Sequence, residues 1–237
     1  MRILIISEIA SQHGGDVELA KKYIDESKRA GADIAKLQYY FAEEIMPKDD
    51  PRFEQVKRAQ LSLEQLSELW DHCESAGIGF LVTPFFRVER VEELASLGVR
   101  KCKIREADSQ NEAMVKRALE LFDEVLISTT RLPVGNMFLY YHPHIKWLLT
   151  IIHYPSKLEE LELDRIASFD GYSNHIPDIA APLATAVVAK EHGKEEFIIE
   201  CHVTLSHAED NLDKAVSIDF RELAELVKHL RAIERIK

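Results

Sequence analysis

Polar and charged residues end a series of otherwise apolar runs in this chain. In order they are Glu8, Lys36 with Gln38, Thr83, Lys103, Ser128, Tyr154, Ser173 with His175, and Glu200 with His202. Side chains two apart on a strand share a face, so each of those pairs can project into one cleft. A charge within a strand is costly to bury without a partner, and several at equivalent ends point to a polar site. His175 and His202 end the last two runs, and two imidazoles that leave open positions suit a divalent cation acting as a Lewis acid. Two hydrogen-bonded histidines at a rim are the other reading, and spacing alone leaves both standing. Lys36 and Lys103, with the hydroxyls of Thr83, Ser128 and Ser173, suit an oxyanion or phosphate pocket. Either lysine could equally form a Schiff base with a carbonyl substrate. His142, His144, His153 and His207 fall in loops and read as surface residues.

The elements that must position these residues alternate along the whole chain. Strand-like runs cover 3–9, 33–38, 79–83, 101–104, 124–128, 146–151, 171–175 and 197–202. Helical periodicity covers the stretches that open at Asp16 and at Ser62, then 88–97, 112–122, 163–169, 179–192 and 219–236, with Asp16 and Ser62 as N-caps. Strand followed by helix, about eight times over, is the rhythm of a (β/α)8 TIM barrel, whose chemistry sits at the carboxyl ends of the strands. The fifth unit is irregular. Between Ser128 and Trp147 two prolines, Pro133 and Pro143, leave room for a short helix at most, so that helix is expected to be shortened or missing. A doubly wound sheet is disfavoured because no Gly-rich dinucleotide loop follows the first strand. No linker-like stretch interrupts the pattern, and residues 1–237 read as a single α/β domain.

Composition narrows the function. Against 30 Lys and Arg stand 41 Asp and Glu, a net charge of -11, which argues against a broad nucleic-acid surface but not against a local basic pocket. Three scattered cysteines give neither a disulfide framework nor a CxxC metal site. No apolar run approaches the ~20 residues of a membrane span, and Glu8 comes too early for a signal peptide. A cytoplasmic protein without membrane contact is expected.

The ordered motifs carry a resemblance. Ser7-Glu8-Ile9-Ala10-Ser11-Gln12-His13-Gly14-Gly15-Asp16 is followed by Ala30-Gly31-Ala32-Asp33-Ile34-Ala35-Lys36-Leu37-Gln38, and then by Gly79-Phe80-Leu81-Val82-Thr83-Pro84-Phe85. Lys103-Ile104, Ile127-Ser128-Thr129, Tyr154-Pro155, Gly171-Tyr172-Ser173-Asn174-His175 and Glu200-Cys201-His202-Val203-Thr204 complete the set. Together they resemble the sialic acid (N-acetylneuraminate) synthase family along the length of the chain. The resemblance implies condensation of phosphoenolpyruvate with an N-acetylated aldose or related aldehyde in nonulosonic acid biosynthesis. It also implies a divalent metal ion, Mn2+ or Mg2+, on His175 and His202, with Glu8 as the acid that handles water or a proton. Lys36, Thr83, Lys103, Ser128 and Ser173 match phosphate and carboxylate contacts. Gln38 and Asp213 match contacts to the sugar, and Tyr154 is expected to be substrate-binding.

The chain departs from the family pattern at several points. Lys-Ile-Gly-Ser-Gly is replaced by Lys103-Ile104-Arg105-Glu106-Ala107, an expected asparagine by Ile152, and the acid after Pro-Phe by Phe86. No antifreeze-like C-terminal domain is recognised, so a homodimer or a separate lid-supplying partner is expected to complete the sugar site. A Schiff-base aldolase or lyase on the same barrel, and a non-catalytic binding homologue, are the alternatives.

Overall fold

The computed structural model describes residues 1–208 and 212–236. The β-branched opening run forms β1 (Arg2–Ala10), followed by α1 (Val17–Ala30) and β2 (Ile34–Tyr39). The second crossover carries α2 (Ala42–Ile45), α3 (Phe53–Arg58) and α4 (Leu63–Ala76) before β3 (Gly79–Pro84), α5 (Val88–Ser96) and β4 (Lys101–Ile104). Then come α6 (Glu112–Leu121), β5 (Glu124–Thr129), α7 (Met137–Tyr140), β6 (Ile145–Thr150) and β7 (Gly171–Asn174). The chain closes with α8 (Ala180–Glu191), β8 (Glu196–Thr204), β9 (Ile218–Asp219) and α9 (Phe220–Arg235).

Strands β1 to β8 are parallel, in the hydrogen-bonded order β3-β2-β1-β8-β7-β6-β5-β4, and β3 packs against β4 to bring the ring almost to closure. This is the expected α/β barrel. Asp16 caps α1 by accepting from the Leu19 amide, and Ser62 closes a capping box with Gln65 on α4, both as the sequence indicates. The fifth helix is cut to the four residues of α7. The expected helix over 163–169 is instead a 3-10 segment, Leu163–Ser168, which buries Ile166 alone. Six residues that bury one apolar side chain give no extended apolar face to support a longer α ladder.

The barrel interior is layered. Ile6, Ile34, Leu81, Leu126, Leu148 and Ile198 form an apolar plug, separate from the larger core between barrel and helices. Because side chains alternate, the residues two positions further on face the same way, one layer nearer the carboxyl ends. Those residues are Glu8, Lys36, Thr83, Ser128, Thr150 and Glu200. At the same level as the plug, Gly171 pairs with both Leu148 and Ile198, and a Cβ there would come 2.5 Å from the Ile198 carbonyl oxygen. Glycine lets β7 approach β8 closely enough to hold Ser173 beside Glu200.

Candidate active site at the carboxyl ends of the strands

Register brings distant residues into one row. Glu8 pairs with Lys36 on β2 and with His202 on β8, and Ser173 on β7 pairs with Glu200 on β8. Just past Glu8 the β1–β2 ladder bulges and Ala10 takes a left-handed φ of 51°, a sparsely populated conformation for alanine, where the chain turns out of the site.

The row is an ionic cluster. Glu200 Oε1 lies 2.9 Å from Lys36 Nζ and 3.2 Å from Lys103 Nζ, and it accepts from Ser173 Oγ at 2.8 Å. Lys103 Nζ also donates to Ser128 Oγ at 2.6 Å. Lys36 makes a second ion pair with Glu8, whose other oxygen is reached by Gln38 Nε2 at 3.4 Å. Burial pushes Lys36 down to about 7, with the Lys103 charge adding to the shift and Glu200 opposing it. Burial would raise the Glu200 carboxyl, but the Lys103 and Lys36 ammonium groups hold it well below the usual carboxylate range.

Above this cluster opens a cavity of about 340 Å³. Its lining includes Lys36, Gln38, Thr83, Lys103, Ser128 and Ser173, and also His175, His202, Tyr154 and Asp213. Glu8 stands behind it against Lys36. Thr83 Oγ1, Glu200 Oε2 and His202 Nδ1 are buried there and have no hydrogen-bond partner among the described residues. Orphaned polar atoms in one cavity are places where a ligand can supply the missing partner.

The two histidines lie side by side, with ring centroids 5.5 Å apart. His175 Nδ1 sits 3.0 Å from the Ile151 carbonyl oxygen, which fixes the Nδ1–H tautomer and leaves the Nε2 lone pair free. Burial lowers the pKa of His175, and it lowers that of His202 to about 3, so both rings are neutral at physiological pH. Among the described residues no acid or cysteine joins this pair in a cluster of three ligand atoms within 4.8 Å. The grouping that does meet that distance is His207, Asp219 and Glu222, where Asp219 and Glu222 are engaged in capping α9.

Tyr154 and Asp213 both line the cavity from loops. Tyr154 is not at a strand end, because β6 stops at Thr150 and Tyr154 belongs to the following loop. Its ring edge meets His175 and His202 at centroid distances of 4.9 and 5.8 Å, and its hydroxyl donates to Asp213 Oδ1. Asp213 also accepts from Ser11 Oγ at 2.8 Å, so both of its oxygens are engaged in tying together the loops after β1, β6 and β8. Residues without an assigned role in the sequence reading are Glu200, at the centre of the cluster, and Arg105, which lines the same cavity. The Glu-x-His pattern on β8 signalled the face that Glu200 occupies but not its two lysine partners.

A nearly closed parallel barrel with an ionic cluster and paired neutral imidazoles at its carboxyl mouth defines a TIM-barrel protein with an enzyme-like site. Residues 23–237 match the NeuB family, and the chain belongs to that family. It is 27% identical over 264 residues to N,N'-diacetyllegionaminic acid synthase of Campylobacter jejuni, covering 99% of this chain and 77% of that protein. It is 26% identical over 258 residues to N-acetylneuraminate-9-phosphate synthase of Homo sapiens, covering 98% of this chain and 70% of that protein. The structure superposes with a TM-score of 0.88 on N-acetylneuraminic acid synthetase from Leptospira borgpetersenii, solved in complex with citrate. That match is 28% identical and covers 99% of this chain and 85% of the other.

Proposed function

We propose that this chain is a carbon–carbon bond-forming synthase that condenses phosphoenolpyruvate with an N-acetylated aldose or related aldehyde, as a step toward a nonulosonic acid. The observation that carries this reading is the Lys36–Glu200–Lys103 cluster, set beneath a cavity that also presents two neutral histidines. The named activities of the relatives, which include legionaminic, sialic and pseudaminic acid synthases, agree with it.

In this reading the enol carbon of phosphoenolpyruvate attacks the aldehyde carbon, water adds at the former enol C2, and inorganic phosphate leaves. Lys36, Lys103, Thr83, Ser128 and Ser173 hold the phosphate and carboxylate, and the buried free hydroxyl of Thr83 is one donor available for that. Glu8, fixed by Lys36 and Gln38, takes or delivers the proton of the attacking water. Gln38, Tyr154 and Asp213 border the space for the aldose. His175 and His202 fit a divalent cation such as Mn2+ or Mg2+, since His175 offers a free Nε2 and His202 a buried Nδ1 without a partner. Such a cation, when bound, polarises a carbonyl oxygen as a Lewis acid.

A second reading has an observation of its own. Lys36, pushed down to about 7, is the kind of lysine that forms a Schiff base with a carbonyl substrate. One experiment separates the two. The protein is incubated with Mn2+, phosphoenolpyruvate and a panel of N-acetylated aldoses, and in parallel with a keto acid and borohydride. Aldose-dependent phosphate release without borohydride labelling supports the synthase. Covalent labelling of Lys36 without phosphate release overturns it.

A further inference from the structure

Arg105 is the first residue beyond β4, and its surroundings hold it as an arm. Its Nε donates to Asp108 Oδ2 at 2.6 Å, and its guanidinium carbon lies 4.1 and 4.0 Å from the ring centroids of Phe85 and Phe86. The same Asp108 oxygen accepts from the Phe86 amide at 3.2 Å, while Asn111 donates to the Phe86 carbonyl at 3.4 Å. Those two contacts hold Phe86 at a φ of 59°, in the left-handed region that phenylalanine rarely occupies. A strained backbone that keeps an aromatic ring under a guanidinium marks a position the surrounding structure over-determines.

Everything about the arm is fixed except its outer end. Asp108 takes the Nε edge, and the guanidinium carbon sits over the Phe85 and Phe86 rings. Nη2, by contrast, is buried and has no hydrogen-bond partner among the described residues. Arg105 lines the cavity that contains Lys36, Lys103 and Thr83. The two lysines there are already countered by Glu200 and Glu8, and Arg105 by Asp108, so what sets Arg105 apart is its unpartnered Nη2 rather than excess charge. An anion entering the cavity finds in Arg105 a planar donor with spare N–H groups.

We propose that Arg105 is a specificity-determining residue that binds the phosphoryl group of a phosphate monoester in this cavity through its unpartnered Nη donors. The proposal rests on the synthase reading for the cavity's being a substrate site. The monoester could be the enol phosphate or a phosphate carried by the aldose, and the chemistry at Arg105 is the same for both.

The test is calorimetric binding to the wild-type chain and to Arg105→Ala and Arg105→Lys. Its ligands are phosphoenolpyruvate, pyruvate, inorganic phosphate, and an N-acetylated hexosamine with and without a 6-phosphate. A hydrogen-bonded charge pair predicts a loss of about 10–100-fold for phosphate-bearing ligands in Arg105→Ala. Partial recovery is expected in Arg105→Lys, which keeps the charge but loses the planar fork. Loss confined to the phosphorylated hexosamine, or to phosphoenolpyruvate, identifies the source. Pyruvate affinity should not change, whereas an arm that merely braces Phe85 and Phe86 would lower the melting temperature and leave the phosphate ligands unaffected. Equal loss for pyruvate, or no loss for any phosphate ligand in a folded Arg105→Ala protein, overturns the proposal. If the wild type binds inorganic phosphate through Arg105 but does not bind phosphoenolpyruvate, the synthase reading fails and the phosphoryl site stands.

Discussion

Lys36 and Glu200 face each other at 2.9 Å with their side chains 5% and 3% exposed, from strands separated by β1. This pair sets the electrostatics of the site. Glu8 and Glu200 together offset Lys36 and Lys103, so the floor of the cavity is preorganised without being strongly basic. An anionic substrate must compete with Glu200 for the two ammonium groups.

Glu200→Gln is therefore expected to have two opposite effects. It leaves both buried lysines with only the Glu8 carboxylate as counter-charge, and breaking a buried ion pair from one side costs roughly 3–5 kcal/mol. It also frees both lysines for an external anion, so inorganic phosphate should bind more tightly. Urea unfolding and calorimetry on the same variant read both effects. Unchanged stability together with unchanged phosphate affinity would show that Glu200 does not bridge the lysines.

Much of this arrangement was legible in the sequence. Short apolar runs located the strands, the two-residue period told which side chains on each strand share a face, and the two prolines of the fifth unit indicated a shortened helix, which the structure gives as four residues. The role of Glu200 was not legible, because its partner Lys103 lies 97 residues away and Lys36 farther still, and register between strands is not written locally. The same holds for Asp213, whose carboxylate is taken by Ser11 and Tyr154 from two other loops. Residues 163–168 kept a helical apolar spacing, yet burial of one side chain did not sustain an α-helix.

The histidine pair gives a metal prediction. His175→Ala and His202→Ala should each abolish binding of one Mn2+ per chain, measured by calorimetry or by the loss of the free-ion resonance signal. Both imidazoles have pKa values lowered by burial, His202 to about 3, so proton competition at a mildly acidic pH should be weaker than for a solvated histidine near 6.5. Mn2+ affinity is thus expected to fall less on mild acidification than it would for a pair of solvated histidines. Equal affinity in the wild type and both variants would remove these residues as ligands.

His13 makes folding stability depend on pH. It is buried, its Nδ1 accepts from the Gly15 amide at 3.0 Å, and burial lowers its pKa to about 4. Between about 4 and the unfolded value near 6.5 the unfolded chain binds the extra proton, so stability rises with pH across that window and is lost as pH falls through it. One such group contributes on the order of 3 kcal/mol across the window, at about 1.4 kcal/mol per pH unit. His13→Gln should flatten the stability profile between pH 6.5 and 4 relative to wild type. Parallel profiles for the two proteins would refute the assignment.

Glu106 is expected to work against anion binding. It lines the cavity with Lys36 and Lys103, and Thr130 Oγ1 approaches its carboxylate at 3.5 Å, with no cation paired to it among the described residues. Two like charges 4 Å apart repel by between about 1 kcal/mol in water and about 4 kcal/mol at an effective dielectric of 20. Glu106 is partly solvated, so the lower end of that range applies, and screening reduces the effect further as salt is added. Glu106→Ser removes the charge and supplies a hydroxyl, and phosphoenolpyruvate should bind about tenfold more tightly at low ionic strength, with the gain shrinking in high salt. Glu106→Gln separates the two contributions, since it removes the charge while keeping the length of the side chain. Calorimetric titration of the three proteins at two salt concentrations measures this, and an affinity for phosphoenolpyruvate that does not change in either variant would mean that the carboxylate does not face the bound anion.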